Sequence, residues 1–136
     1  MTRRAHDTTV LVVDDDDSTR WVLSQALEAL GMQVTRAEDG ADVAELTAGT
    51  HFDLLILDLY MPGMNGFEVL RQIRQPDPGF LPAPRTSPTV PVVVVSGESA
   101  PASIANAKAR GANAYLVKPL DIDTFEATVC ELLGEN

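Results

Sequence analysis

Cysteine is all but missing. Cys130 stands alone in the chain, so no disulfide can form within it, and a reducing, cytoplasmic compartment fits. No histidine lies near Cys130 in sequence, so it reads as a small core or helix-edge residue rather than a nucleophile. Long apolar runs are also missing. Nothing approaches the ~20 residues of a membrane helix. The start, MTRRAHDTT, is followed by only four apolar residues, Val10–Val13, and then by four aspartates, which is not a signal peptide. Cations are scarce: 10 Lys and Arg against 20 Asp and Glu leave a net charge of −10. That argues against binding nucleic acid or an anionic membrane, both of which need cationic surface.

Apolar residues make up 45% of 136, enough for a full core in one domain. They come as short runs alternating with helical stripes. VLVV (Val10–Val13) reads as a strand, followed by Asp14–Asp17 and a helix striped by Val22, Leu23, Ala26, Leu27 and Leu30. Asp17 or Ser18 can cap that helix and Gly31 stops it. Met32–Ala37 reads as a half-buried strand, and Asp39–Gly40 opens a helix facing inward through Ala41, Ala44 and Ala48. Leu54–Leu57 is a strand buried on both faces. Gly66–Arg74 is a helix with Phe67, Leu70 and Ile73 inward. Gln75–Pro91 then holds six of the nine prolines; no helix or central strand survives that density, so it reads as a long, partly extended loop. A bland insertion explains it better than a proline-rich ligand for a partner domain. VVVV (Val92–Val95) is the fourth strand, and a helix beginning at Ser99 or Pro101 runs to Arg110. AYLV (Ala114–Val117) is the fifth strand, and Asp121 or Asp123 caps a last helix with Phe125, Val129 and Leu132 inward. Strands alternating with helices imply a parallel sheet covered on both faces.

Right-handed crossovers put every strand exit on one edge, where open α/β sheets bind ligands. The exits carry Asp14 and Asp15, Asp58, Ser96, and Lys118. Two carboxylates ~4 Å apart repel by about 4 kcal/mol at an effective dielectric near 20. Either one is protonated or a cation sits among them. Oxygen ligands without His or Cys favour a hard ion, Mg²⁺ with Mn²⁺ as the alternative. Metal, ammonium and hydroxyl around one carboxylate suit phosphoryl transfer, with Asp58 able to serve as nucleophile.

In combination, VVDDD, LDLYMPGMNG, VVSG and YLVKP, in that order at successive strand exits, resemble the receiver domain of two-component response regulators, in the single-domain chemotaxis pattern. The resemblance covers about residues 8–133 and treats 1–136 as one receiver domain carrying the inserted loop 75–91. It implies a flavodoxin-like, doubly wound sheet in order 2-1-3-4-5 with five helices on both faces. It implies that Asp58 is the phosphoacceptor and that Asp15, Asp58 and the Tyr60 backbone carbonyl bind Mg²⁺, with Asp14 acting through a metal-bound water. Ser96 and Tyr115 stand at the switch positions, Lys118 at the family's lysine, and the Lys118–Pro119 bond is expected to be cis. Asp16 and Asp17 match no ligand position and are expected to face solvent or to cap.

The resemblance further implies a phosphodonor that is a sensor histidine kinase or a histidine phosphotransfer protein. It implies a downstream protein target on helix 4, strand 5 and helix 5, no direct nucleic-acid or membrane contact, and a monomer or phosphorylation-dependent dimer. Such a protein is a switch with self-catalysed chemistry, not an enzyme in the usual sense. Tyr60, two residues after Asp58, is large where the family often has a smaller or amidic side chain. With Glu98 it stands where hydrolytic water would be positioned and is expected to tune phosphoryl lifetime. Three alternatives compete. A hydrolase with an aspartyl-phosphate intermediate wants a second Asp where Tyr60 stands, and a flavodoxin-type cofactor binder would have its phosphate repelled by Asp14–Asp17. A pseudo-receiver usually lacks one of the acidic or lysine positions present here.

Overall fold

The computed structural model describes residues 7–61, 64–76 and 83–134; Pro62, Gly63, Pro78 and Pro82, which figure in the turn and loop expectations above, lie outside them. Five parallel strands form one sheet: β1 (Thr9–Val13), β2 (Gln33–Ala37), β3 (Leu54–Leu57), β4 (Val92–Ser96) and β5 (Ala114–Val117), in spatial order 2-1-3-4-5. The helices are α1 (Asp17–Ala29), α2 (Val43–Gly49), α3 (Gly66–Arg74), α4 (Pro101–Ala109) and α5 (Ile122–Leu133).

The two-residue period of the strands divides the core in two. Val10, Val12, Leu54, Ile56, Val93 and Val95 pack with Leu23 and Leu27 of α1 and Phe125 and Val129 of α5. Leu11, Val13, Leu55, Leu57, Val92 and Val94 face the other way, onto Val43 of α2, Val69, Leu70 and Ile73 of α3, and Ala107 of α4. Both faces of β3 are therefore filled, which is why its run is continuously apolar rather than alternating.

Local differences from the sequence expectations have simple causes. The α1 cap is Asp16, not Asp17 or Ser18: its backbone is extended and its carboxylate accepts from the Thr19 N–H at 2.8 Å. Val22 is exposed, and the inward face of α1 is Leu23, Ser24, Ala26 and Leu27. The second helix opens with a 3₁₀ turn, Gly40–Asp42, capped by Asp39, and turns Val43 and Thr47 inward in place of Ala41 and Ala44. Larger side chains bury more apolar area than alanine, and they set the rotation of the helix. Val69 takes an inward place in α3 while Phe67 is only half-buried. Helix α4 starts at Pro101 behind Ala100, with no side-chain cap from Ser99, since proline at the first helical position needs no N–H partner. Asp121, not Asp123, caps α5. The Lys118–Pro119 peptide is cis.

The returning leg of the proline-rich stretch is fastened at its base. Buried Thr86 accepts from the Phe52 N–H at 3.0 Å and donates to the Thr50 carbonyl at 2.6 Å. The Arg74 guanidinium donates to the carbonyls of Pro88, Val90 and Gly111, which ties this leg to the turn before β5.

A feature absent from the sequence reading is a two-residue antiparallel bridge after β3, pairing Tyr60 with Asn65 and Met61 with Met64. Asn65 then caps α3 by accepting from the Phe67 N–H at 2.9 Å. The loop closes so tightly that Gly66 donates to the Leu59 carbonyl at 3.0 Å. A Cβ on Gly66 would lie 2.3 Å from Leu59 Cα. Gly66→Ala is therefore expected to destabilise the fold by about 1–3 kcal/mol. Gly49→Ala, where nothing lies within 4 Å, should be neutral or gain up to about 1 kcal/mol. Urea denaturation of the two variants checks this, and equal effects would contradict the close approach.

Candidate functional site

Register brings the site together. Val13 pairs with Leu57 and Leu57 with Val94, so Asp14 and Asp58 leave the sheet side by side. Ser96 pairs with Val117, so Lys118 leaves one step past the end of β4. Backbone bonds hold these exits: Asp14 donates to the Ala37 carbonyl at 3.1 Å, Asp58 to Val13 at 3.0 Å and Lys118 to Ser96 at 2.8 Å.

Asp14 is 1% exposed and Asp58 5%, while Asp15 faces solvent. Carboxylate oxygens of all three lie within 4.8 Å of one another. The Lys118 ammonium reaches both buried carboxylates, 3.1 Å from Asp14 Oδ2 and 3.2 Å from Asp58 Oδ2. It donates a hydrogen bond to Asp58, while buried Asp14 Oδ2 has the ammonium as an ion-pair partner at 3.1 Å. The other oxygens are held by the backbone, Asp14 Oδ1 by the Asp16 N–H at 2.9 Å and Asp58 Oδ1 by the Tyr60 N–H at 3.0 Å.

Burial raises the Asp14 carboxyl above its ordinary range; the Asp16 N–H and the Lys118 ammonium offset this in part, and the Asp58 charge adds to it. Burial alone would lower Lys118, but the carboxylates of Asp14 and Asp58 outweigh it and hold the ammonium above its usual value. Three ionised carboxylates and one ammonium leave two negative charges uncompensated. Three hard oxygen donors without His or Cys, within 4.8 Å of one another, fit a divalent cation of the Mg²⁺ type.

Ser96 and Tyr115 meet at Glu98. Buried Ser96 accepts from the Glu98 N–H at 3.1 Å, and the half-buried Tyr115 hydroxyl donates to the Glu98 carbonyl at 2.7 Å. Burial raises the Tyr115 phenol; a hydrogen bond with Ser96 offsets this in part, and Tyr60, Glu98 and Asp58 add to it. The Glu98 carboxylate itself turns away, accepting from the Ala100 N–H at 2.9 Å at the start of α4. Tyr60 is 48% exposed and sets its ring against Phe67. Asp16 caps, and Asp17 is exposed and pairs with Arg20. The sequence reading missed Arg20, which also donates to the Asp14 carbonyl at 2.7 Å; its place three residues after Asp17, on the first turn of α1, was the available signal.

The sequence model described as the response regulator receiver domain matches residues 10–130. The chain belongs to that family. PilH of Pseudomonas aeruginosa is 32% identical over 125 residues, covering 92% of this chain and 97% of PilH. The DNA-binding transcriptional regulator NtrC of Escherichia coli (strain K12) is 41% identical over 120 residues, which is 88% of this chain but 24% of NtrC. The chain thus spans about a quarter of the NtrC regulators it matches. Among solved structures, the chemotaxis response regulator CheY4 of Vibrio cholerae superposes with a TM-score of 0.75 at 32% identity, over 92% of this chain and 98% of that one. As a receiver domain the chain is a module of two-component signalling, and its carboxyl-edge cluster lies where the sheet architecture places ligand sites. Among the described residues, no helix is long and apolar enough to cross a membrane.

The charge balance has a pH signature. With its folded-state value raised, Lys118 contributes stability that is complete below its ordinary value near 10.5 and lost as pH rises through the higher folded value. Asp14 works in the opposite sense: its raised value means that burying the anion costs stability at neutral pH, a cost relieved as pH falls. Lys118→Met is expected to lose about 1–3 kcal/mol at neutral pH, with the difference from wild type closing under strongly alkaline conditions, where the ammonium is lost, and under acid ones, where the carboxylates are protonated. Chemical denaturation across pH measures it; a difference that closes near neutrality would contradict the ion-pair assignment.

Proposed function

We propose that Asp58 is the phosphoacceptor of this receiver domain. The observation that carries the reading is a buried carboxylate hydrogen-bonded to Lys118 at 3.2 Å within a three-carboxylate cluster. The donor is a phosphohistidine on a sensor kinase or phosphotransfer protein. An Asp58 oxygen bonds to phosphorus as the phosphorus–nitrogen bond of the donor breaks, and the donor imidazole keeps the bonding pair. Lys118 holds the carboxylate in place and meets the charge of the phosphoryl oxygens. Asp15, Asp58 and the Tyr60 carbonyl would hold Mg²⁺, or Mn²⁺ in its stead, with Asp14 acting through water. When bound, that ion supplies charge neutralisation at the phosphoryl oxygens.

Ser96 donates its hydroxyl to the phosphoryl group and gives up the Glu98 N–H, which frees the β4–α4 loop that Tyr115 also grips. The surface of α4, β5 and α5 then changes for a downstream protein, a shift between two states biased by a local charge. In this role the domain is a switch rather than an enzyme of turnover, working as a cytoplasmic monomer or a phosphorylation-dependent dimer. The receiver unit spans about residues 8–133, and the loop 75–91 belongs to it as an insertion. Tyr60 shields the phosphoryl group from water; Glu98 acts there only if its carboxylate leaves Ala100.

Incubation with Mg²⁺ and acetyl phosphate, read by intact mass, is expected to add one phosphoryl group to wild type and none to Asp58→Asn. No addition to wild type, or addition to Asp58→Asn, would overturn the assignment. Tyr60→Ala should shorten the lifetime of the acyl phosphate by about tenfold; an unchanged or longer lifetime would remove the shielding role.

A further inference from the structure

Phe67, at the start of α3, is touched from two sides. The Tyr60 ring stands edge-on to it, with centroids 6.0 Å apart and planes at 83°. The Arg110 guanidinium lies 5.4 Å from its centroid, over the ring face. Arg110 follows the last turn of α4, and its Nε donates to Asn106 Oδ1 at 3.0 Å, so the cation is aimed from α4 itself. Phe67 and Tyr115 pack on the same half of the core. Tyr60 is two residues past Asp58 and donates its N–H to that carboxylate. A continuous run of contacts therefore joins Asp58, Tyr60, Phe67, Arg110 and α4, separate from the Ser96–Glu98–Tyr115 contacts.

An edge-to-face pair fixes ring orientation, and a cation over the second ring's face adds an attraction that depends on charge. Half-exposed Tyr60 has no other ring contact among the described residues, so Phe67 decides where its ring stands. We infer that Arg110 is a positioning residue for Tyr60: acting through Phe67, it keeps the Tyr60 ring at the rim of Asp58 and so lengthens the life of the phosphorylated state.

This rests on the phosphoacceptor reading above. The step being slowed is hydrolysis. Water bonds to phosphorus, the bond from phosphorus to the Asp58 oxygen breaks, the carboxylate keeps the pair, and dihydrogen phosphate leaves with both protons of the water. Because Arg110 caps the C-terminal end of α4, a downstream protein that engages that helix would alter phosphoryl lifetime without touching Asp58.

Two measurements on the full chain test the inference. In the unphosphorylated protein with ring-labelled Tyr and Phe, Arg110→Met should move the NMR ring resonances of both Tyr60 and Phe67, and Arg110→Lys should keep them near wild type; unmoved resonances would overturn the positioning role. After acetyl phosphate treatment and removal of the donor, Arg110→Met should shorten the acyl-phosphate half-life about two- to fivefold, the size an exposed cation–π contact can supply, and Arg110→Lys should restore most of it. In a Tyr60→Ala background Arg110→Met should have no further effect. An equal shortening there would show that Arg110 does not act through Tyr60. If wild type takes no phosphoryl group, the phosphoacceptor reading fails together with the lifetime claim, while the resonances still decide whether Arg110 positions Tyr60.

Discussion

Two carboxylates, Asp14 and Asp58, are taken almost wholly out of water at the same sheet edge, and a single ammonium, Lys118, lies about 3 Å from both. At the spacing of this cluster a pair of like charges costs about 3–4 kcal/mol at an effective dielectric near 20. Lys118 offsets part of this, and the exposed Asp15 adds a third negative charge. The site is thus short of two positive charges. A divalent cation would supply them. The rest of the molecule holds the carboxylates there against their repulsion: apolar strands on both sides, backbone N–H groups on Asp14 Oδ1 and Asp58 Oδ1, and the Leu59–Gly66 closure.

Much of this was legible in the sequence. Runs such as LLIL and VVVV can only be strands covered on both faces, and the polar residue after each run lands on one edge by topology alone. That logic places Asp14, Asp15, Asp58, Ser96 and Lys118 on the same edge. Helix rotation was less legible. In α2 the alanines look like a stripe, but Val43 and Thr47 turn inward because packing against a fixed sheet outweighs alanine's tidy spacing. Caps slipped by one or two residues where several acceptors compete, as at Asp16, Asp17 and Ser18. The bridge from Tyr60 to Asn65 depends on long-range closure onto Leu59, which no local pattern encodes. Nor could spacing reveal that Arg110, 43 residues beyond Phe67, covers its ring.

The rim has two distinct connections to α4. One is polar, through buried Ser96, exposed Glu98 and half-buried Tyr115. The other is aromatic and exposed, through Tyr60, Phe67 and Arg110. The first is built around a hydroxyl that can reach a phosphoryl oxygen and suits switching. The second touches the loop carrying Asp58 and suits control of how long the switched state lasts. Tyr60 is a large, half-exposed residue, and Phe67 stands edge-on to its ring.

The central claim is that the buried carboxylates are held against their own repulsion and relieved by a divalent cation. Thermal unfolding as a function of Mg²⁺ tests it most directly, because an ion that binds only the folded state raises the midpoint with the logarithm of its concentration once it exceeds the dissociation constant. Wild type should show that rise. Asp14→Asn should start more stable than wild type without Mg²⁺ and respond much less to it. A wild-type midpoint indifferent to Mg²⁺, or an Asp14→Asn variant less stable than wild type in its absence, would contradict the account.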